Sequence, residues 1–492
     1  MMALTTRFFY FSSGNMGHDA SIFATVGNAL LNGKVMYTEI WENKGPLLYF
    51  INAFALLLDY KHGLFWVELL NLFVTLIFAY KTALIISSNK KSLSVIAAVF
   101  SLLILTVTLE GGNLSEEYAL PFLTAGLYLC VKYLYNNLSL KVNEKILIGV
   151  CCGACFLLRI NICALFFIFA VGIAVILIKS KQFKELLSIA GFASVGFAAI
   201  ILPFYAYLIV NGAFSAYVDA ALLTTNAFSE LLPITVISNV AEMVFATKDS
   251  GVLFIAVVYL IAVPFASYFG VYNDRIAFRR CLWINWFGLI INLFANSVTG
   301  AYHLHYFMTF VPFLVIPGIW FAMSVSHIFT KMVRDDKLKK ISALVTTAIM
   351  LFITLTGFVQ TVRQMISFSD YSKTITKSAI VSYVETRTSP NDYVQVIGDV
   401  TLNYKTHTLP ASKYQYLVGG RYTYAVVKER CEQMASDITA VRPKLIVYSD
   451  QGQYDYMLGS VPNRQSFENF LSANYTRVDG VDGNYIAFYI KQ

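Results

Sequence analysis

The chain has 492 residues, 57% of them hydrophobic and only 13% charged, with a mean hydropathy of +0.61. A soluble chain of that length would form about three domains and carry far more charge, so a soluble multidomain protein is excluded. The formal net charge of +8 does not indicate a nucleic-acid partner, because the Lys and Arg residues flank apolar runs.

Residues 1–20 open on an aromatic cluster and then turn polar, without the basic, apolar and small-residue order of a signal peptide. The apolar stretch 47–58 is too short to span a bilayer, which needs about 20 residues. Pro46 at a first-turn position suits an interfacial or re-entrant helix there. About ten spans follow, at 64–86, 93–109, 119–135, 146–160, 161–178, 187–209, 251–271, 282–298, 306–326 and 341–359. Cys152-Gly153-Ala154-Cys155 has CxxC spacing, but it lies in an apolar run with no second ligand pair, so it reads as helix packing. After 360 the chain gains charge and alternates strand and helix. A helix is expected over 373–388, stopped by Ser389-Pro390-Asn391-Asp392, with strands at 393–399, 444–450 and 485–491 and a helix near 424–440. Cys431 is the sole cysteine of this tail, so the tail has no internal disulfide. The tail suggests a small α/β domain without a nucleotide site.

Sidedness follows from the basic residues. Lys90 and Lys91; Lys141 and Lys145; Lys179, Lys181 and Lys184; Arg275, Arg279 and Arg280; and Lys331, Arg334, Lys337, Lys339 and Lys340 fall in one set of loops. The alternate loops 110–118 and 299–305 carry none, and 210–250 has only Lys248. The positive-inside rule makes the first set cytoplasmic, which puts the N-terminal segment and the tail outside.

The unusual polar residues collect on that outer side: Asp19, Tyr37, Glu39, Glu42 and Lys44 in the first loop; Glu116 and Glu117 in the second; Arg159 in the third; and Tyr302, His303, His305 and Tyr306 in the fifth. A lone carboxylate at a membrane surface is an ordinary solvated residue, whereas a buried one marks function. Arg159, between two apolar runs, reads either as snorkelling to the headgroups or as an anion partner in an outward-facing cavity. Lys44 has the same two readings. Two cations beside several carboxylates suit a phosphate-bearing ligand and a hydroxyl acceptor. No metal ligand set is legible, and a divalent cation is the one cofactor left open.

The order of these motifs resembles a known family. Asp19, Gly33, Tyr37, Glu39 and Lys44-Gly45-Pro46 are similar to the first extracytoplasmic loop of GT-C glycosyltransferases of the protein O-mannosyltransferase and aminoarabinose-transferase superfamily. "EGGNLSEEY" (110–118) resembles their second acidic loop, "LLRIN" (157–161) their Arg after the fifth helix, and "YHLHYF" (302–307) their aromatic–histidine motif. The resemblance covers about residues 14–330. It implies a mostly α, polytopic helical bundle of GT-C type over 1–360, with juxtamembrane helices and an extracytoplasmic α/β domain over 361–492. It also implies an inverting transfer of a sugar from a polyprenyl-phosphate donor, undecaprenyl phosphate in bacteria, to a cell-surface glycan, lipid or protein outside the cytoplasmic membrane.

Carried over residue by residue, Asp19 is the general base, with Glu116 or Glu117 orienting the acceptor or assisting. Lys44 meets the donor phosphate, with Arg159 as a second candidate. Tyr37, Glu39, Glu42, Tyr302, His303, His305 and Tyr306 contact substrate, although residues two apart on a helix point apart, so one histidine could be structural. Two departures stand out. Glu39 replaces a common aspartate and Gly45 a common proline, and the helix that leads into the first loop in this family is missing here. The expectation is an incomplete N-terminus and eleven native spans. The competing readings are a transporter or flippase for a lipid-linked sugar, disfavoured because no internal repeat is seen, and a polymerase or ligase with paired arginines in a large outer loop.

Overall fold

The computed structural model describes residues 17–108, 111–223, 276–297, 303–332, 378–416 and 424–491, with isolated positions between 238 and 264. Most of the expected spans 251–271 and 341–359, the expected boundary at 360 and Tyr302 lie outside the described residues.

Helix α1 (His18–Leu31) begins at Gly17, carries Asp19 in its first turn, where a carboxylate complements the helix dipole, and ends at Asn32-Gly33 with Gly33 at φ 83°. Helix α2 (Pro46–Leu58) has Pro at its first position and only 13 residues, as the sequence predicts. The two pack closely at Gly27, where an added Cβ would sit 2.8 Å from the Ala53 nitrogen. Helix α3 (Gly63–Ile86) is a full span of 24 residues. Helix α4 (Lys91–Leu102) stops short of the expected 109 and is followed by a separate turn at Leu105–Thr108. Helix α5 (Ser115–Tyr135) starts four residues before the expected 119 and so draws Glu116 and Glu117 out of a loop and into its first turn. Helices α6 (Val142–Leu158), α7 (Ala164–Lys179), α8 (Phe183–Val210), α9 (Ile276–Ser297) and α10 (Val311–Met332) match expected spans. Four described stretches are long and apolar enough to cross a bilayer: α3, Ile160–Lys179, α8 and Leu304–Met323.

Small residues set the tightest crossing. Gly149 and Gly153 on α6 pack against Ala193, Phe197 and Ile200 of α8, Gly196 on α8 packs against Ile146 and Val150, and a Cβ at Gly149 would lie 1.8 Å from the Ala193 carbonyl oxygen. This is the close-approach packing that apolar helices use when no hydrophobic force separates protein from lipid. It also accounts for the CxxC segment, whose cysteines are free thiols inside α6.

The C-terminal residues form a four-stranded sheet of order β1-β2-β4-β3, from β1 (Val394–Ile397), β2 (Leu445–Tyr448), β3 (Tyr475–Val481) and β4 (Tyr485–Ile490). The first pair is parallel and the others antiparallel. Helices α11 (Ala379–Glu385), α12 (Tyr424–Val441), α13 (Gln451–Ser460) and α14 (Arg464–Asn474) cover it. Ile380 and Val384 pack with Val394 and Val396 on one face, while Met434, Ile438, Leu458 and Phe467 pack with Ile446 and Tyr448 on the other. Strand β3 is absent from the sequence expectation because its side chains are mostly exposed, which removes the apolar run that marks a strand.

This unit sits on the loop between α1 and α2. The Trp41 amide donates to the Lys413 carbonyl (2.8 Å), the Lys34 ammonium to the Pro410 carbonyl (2.7 Å) and the Asn32 amide to Asn391 (3.2 Å). The Arg430 guanidinium lies 4.0 Å over the Trp41 ring. The C-terminal unit therefore caps the end of the bundle that bears Asp19, opposite the lysine-rich turns.

Candidate functional site

The capped end holds one buried polar cluster built from four elements. Its geometry starts at Gly45. The Gly45 N–H donates to the Leu158 carbonyl at 3.0 Å, and a Cβ at Gly45 would lie 2.0 Å from the Leu157 carbonyl oxygen. The first loop thus docks on the last turn of α6 and satisfies one of its orphan carbonyls. A proline, which lacks the N–H and adds ring atoms, does not fit this contact, which explains the departure from the family pattern. The result is that Lys44 and Arg159 become neighbours.

Arg159 ends α6 in an extended conformation and turns inward. Its Nη1 donates to Glu116 Oε1 at 2.6 Å, with the two side chains 9% and 1% exposed. The Ser115 hydroxyl donates to the other Glu116 oxygen at 2.7 Å. On its far side Arg159 lies 4.4 Å over the Tyr306 ring, and Tyr306 stands edge-on to His305 (4.8 Å) and His303 (5.4 Å). The histidine rings stack on each other at 5.2 Å, so residues two apart face the same way. His303 lies in extended backbone just ahead of the 3₁₀ turn Leu304–Phe310, so helical spacing does not separate the two rings. That turn is tied to α9 through Thr309, whose hydroxyl accepts from Asn292 (3.0 Å) and Asn296 (2.9 Å).

The lysine is placed differently. The Lys44 ammonium donates to Asn43 Oδ1 at 3.1 Å, and among the described residues no carboxylate lies within ion-pair distance of it. Its backbone is held on both sides: its N–H donates to the Tyr49 hydroxyl (3.0 Å) and its carbonyl accepts from Tyr37 (2.8 Å). Tyr37 is buried, with φ 67°, and braces the loop. Glu39 is exposed and its carboxylate accepts from the Val35 amide at 2.6 Å, within its own turn.

Glu42 is buried, accepting from the Tyr416 hydroxyl (2.6 Å) and the Asn43 amide (2.8 Å). Burial pushes its carboxyl above the usual range, and the Asp19 charge adds to the rise, while Lys44, Tyr416 and the Asn43 amide pull it down. Asp19 and Lys44 are therefore both in electrostatic reach of Glu42, and Lys44 and His305 in reach of Glu116. Asp19 itself is half-buried.

Several members escaped sequence reasoning. Glu68, Asn52, Asn71, Asn113 and Tyr118 are all buried at this end, and Asn71 donates to the Glu117 carbonyl at 2.7 Å. An acid inside the 64–86 span was the available signal for Glu68, since ionisable groups at membrane depth are costly. Nothing local marks Tyr416, which lies 374 residues from its partner Glu42. Among the described residues no group of three His, Cys, Asp or Glu side chains converges to hold a metal ion.

A family model for the competence-induced protein Ccs4 N-terminal domain matches residues 22–369. The chain belongs to this family. No curated protein matches this Ccs4-family chain. Among solved structures it is similar to ArnT from Cupriavidus metallidurans bound to undecaprenyl phosphate, with a TM-score of 0.58 at 11% identity over 99% of this chain and 97% of that one. The apo form of the same ArnT gives 0.57 at 11% identity over 99% and 96%. The Archaeoglobus fulgidus oligosaccharyltransferase tethered to an acceptor peptide gives 0.51 at 11% identity, over 97% of this chain and 70% of that one. The Ccs4-family chain thus has the GT-C fold and is a multi-pass membrane protein.

Proposed function

We propose that this protein is an inverting glycosyltransferase of the bacterial cytoplasmic membrane. It takes a sugar from a polyprenyl-phosphate donor, most simply undecaprenyl phosphate, to a hydroxyl of a cell-surface glycan, lipid or protein. Residues 1–360 form the catalytic membrane domain and 361–492 an extracytoplasmic domain. The observation that carries this reading is the division of labour between two neighbouring cations. Arg159 is paired with Glu116, whereas among the described residues no carboxylate stands within ion-pair distance of the Lys44 ammonium. ArnT, similar in fold, is an aminoarabinose transferase captured with undecaprenyl phosphate, the kind of anion such a cation suits.

In the reaction the acceptor O–H attacks the anomeric carbon, its proton passes to Asp19, and the carbon–oxygen bond to phosphate breaks. The polyprenyl phosphate leaves with its new negative charge against Lys44. Glu42, held by Tyr416, lines the approach beside Asp19, and Glu116 and Glu117 lie behind it. Tyr306, with His303 and His305, borders the sugar.

The test is transfer in proteoliposomes with a polyprenyl-phosphate sugar. Asp19→Asn should lower kcat by at least about 100-fold. Lys44→Ala should raise the donor KM more than the acceptor KM. Undiminished transfer by an inserted Asp19→Asn protein sinks the general-base role, and equal KM effects sink the phosphate role of Lys44.

A further inference from the structure

Glu68 sits one and a half turns into α3 and is fully buried. Its Oε1 accepts from the Asn113 backbone N–H. Both its oxygens lie against Gly112, where a Cβ would be 2.9 Å from each. The turn it holds is unusual: Gly111, Gly112 and Asn113 have φ values of 97°, 82° and 56°. Gly111 and Gly112 take positive φ freely, whereas Asn113 does so at a cost that an anchor on its backbone offsets.

The Asn113 side chain spreads that anchoring outward. Its Nδ2 donates to the Ala20 carbonyl (2.9 Å) and to Asn52 (2.8 Å), and its Oδ1 accepts from the Tyr118 hydroxyl (2.9 Å). Ala20 adjoins Asp19 on α1, and Asn52 lies on α2. The same turn leads directly into Ser115 and Glu116, the partners of Arg159. One carboxylate therefore stands behind both halves of the site.

We propose that Glu68 is a positioning residue for glycosyl transfer, setting through Asn113 the relative placement of Asp19 and the Glu116–Arg159 pair. This rests on the transferase reading above. A carboxylate at membrane depth is expensive, so its presence behind this turn marks a role beyond packing. The Asn113 N–H bond to Glu68 ties the turn to α3 while the Asn113 side chain ties it to α1 and α2, and a small misplacement of a catalytic group costs rate rather than ground-state binding.

The full-length protein in proteoliposomes is compared as wild type, Glu68→Leu, Glu68→Gln and Gly112→Ala. Glu68→Leu should lower kcat by about 100-fold while the donor KM stays within about twofold. Glu68→Gln, whose amide oxygen accepts the same N–H, should recover to within about tenfold of wild type. Gly112→Ala keeps the carboxylate but forces it away, so it should reproduce the Glu68→Leu phenotype and carries the test where Glu68→Leu does not insert. Wild-type kcat in an inserted Glu68→Leu or Gly112→Ala protein overturns the proposal, as does a fall in kcat matched by an equal rise in donor KM.

Hydrogen exchange on the same variants needs no turnover. Faster exchange at residues 18–24 and 111–118 supports the coupling, and unchanged exchange there overturns it. If wild type transfers no sugar while those amides are released in the variants, the transferase reading has failed and the coupling stands.

Discussion

Replacing Arg159 by Met distinguishes a packed ion pair from a phosphate ligand. The two side chains are 9% and 1% exposed and 2.6 Å apart, and the second Glu116 oxygen is bound by Ser115. Removing one partner of such a pair strands a buried charge and costs about 3–5 kcal/mol, two to four powers of ten in the folding equilibrium. Loss of the stacking on Tyr306 adds about 0.5–2 kcal/mol. Arg159→Met and Glu116→Leu should each be strongly destabilised, whereas the double variant should return to within about 2 kcal/mol of wild type, because an apolar pair of similar volume needs no desolvation. Thermal unfolding in detergent, arranged as a double-mutant cycle, measures the coupling. Single costs below about 1 kcal/mol that simply add would refute the buried-pair argument and return Arg159 to the phosphate.

Three other outcomes follow from the same geometry. Gly45→Pro, the residue common in the resembling superfamily, should cost about 2–4 kcal/mol here by losing the bond to Leu158 and crowding Leu157, read as a fall in unfolding temperature; wild-type stability would contradict the docking of the loop on α6. Burial raises the folded-state pKa of Glu42 above 4.5, so its stabilising contribution is present below that pH and lost as pH rises through the raised value. Unfolding temperature should therefore decline more steeply above pH 4.5 in wild type than in Glu42→Gln, and parallel profiles would remove the raised pKa. Gly149→Val, with its Cβ 1.8 Å from the Ala193 carbonyl oxygen, should part α6 from α8 at a cost of about 1–3 kcal/mol, seen again in thermal unfolding.

The membrane character and most span positions were readable because a bilayer imposes a one-dimensional constraint: apolar length along the chain. The short helix at Pro46 was readable for the same reason. The start of α5 was misplaced, because Ser115, Glu116 and Glu117 are polar and read as loop, yet they are tolerated in a first turn where Arg159 and the Ser115 hydroxyl meet the charge. Hydrophobicity does not mark strand β3, although the three-residue loop Asp482-Gly483-Asn484, with Asp482 and Gly483 at φ 54° and 86°, signals a hairpin between Val481 and its partner Tyr485.

The sequence by itself determined that the chain lies in a membrane, which loops are basic, and that Asp19, Lys44, Glu116 and Arg159 gather toward one side. These follow from composition and order alone. Only the tertiary structure decided how those residues divide their roles. Arg159 is bound to Glu116 while Lys44 is not, because Gly45 brings the first loop against the end of α6. Glu42 is held by Tyr416 from the far end of the chain, and Glu68 stands behind Asp19 and Glu116 through Asn113. Such pairings depend on contacts between segments tens to hundreds of residues apart, and no local pattern of residue types encodes them.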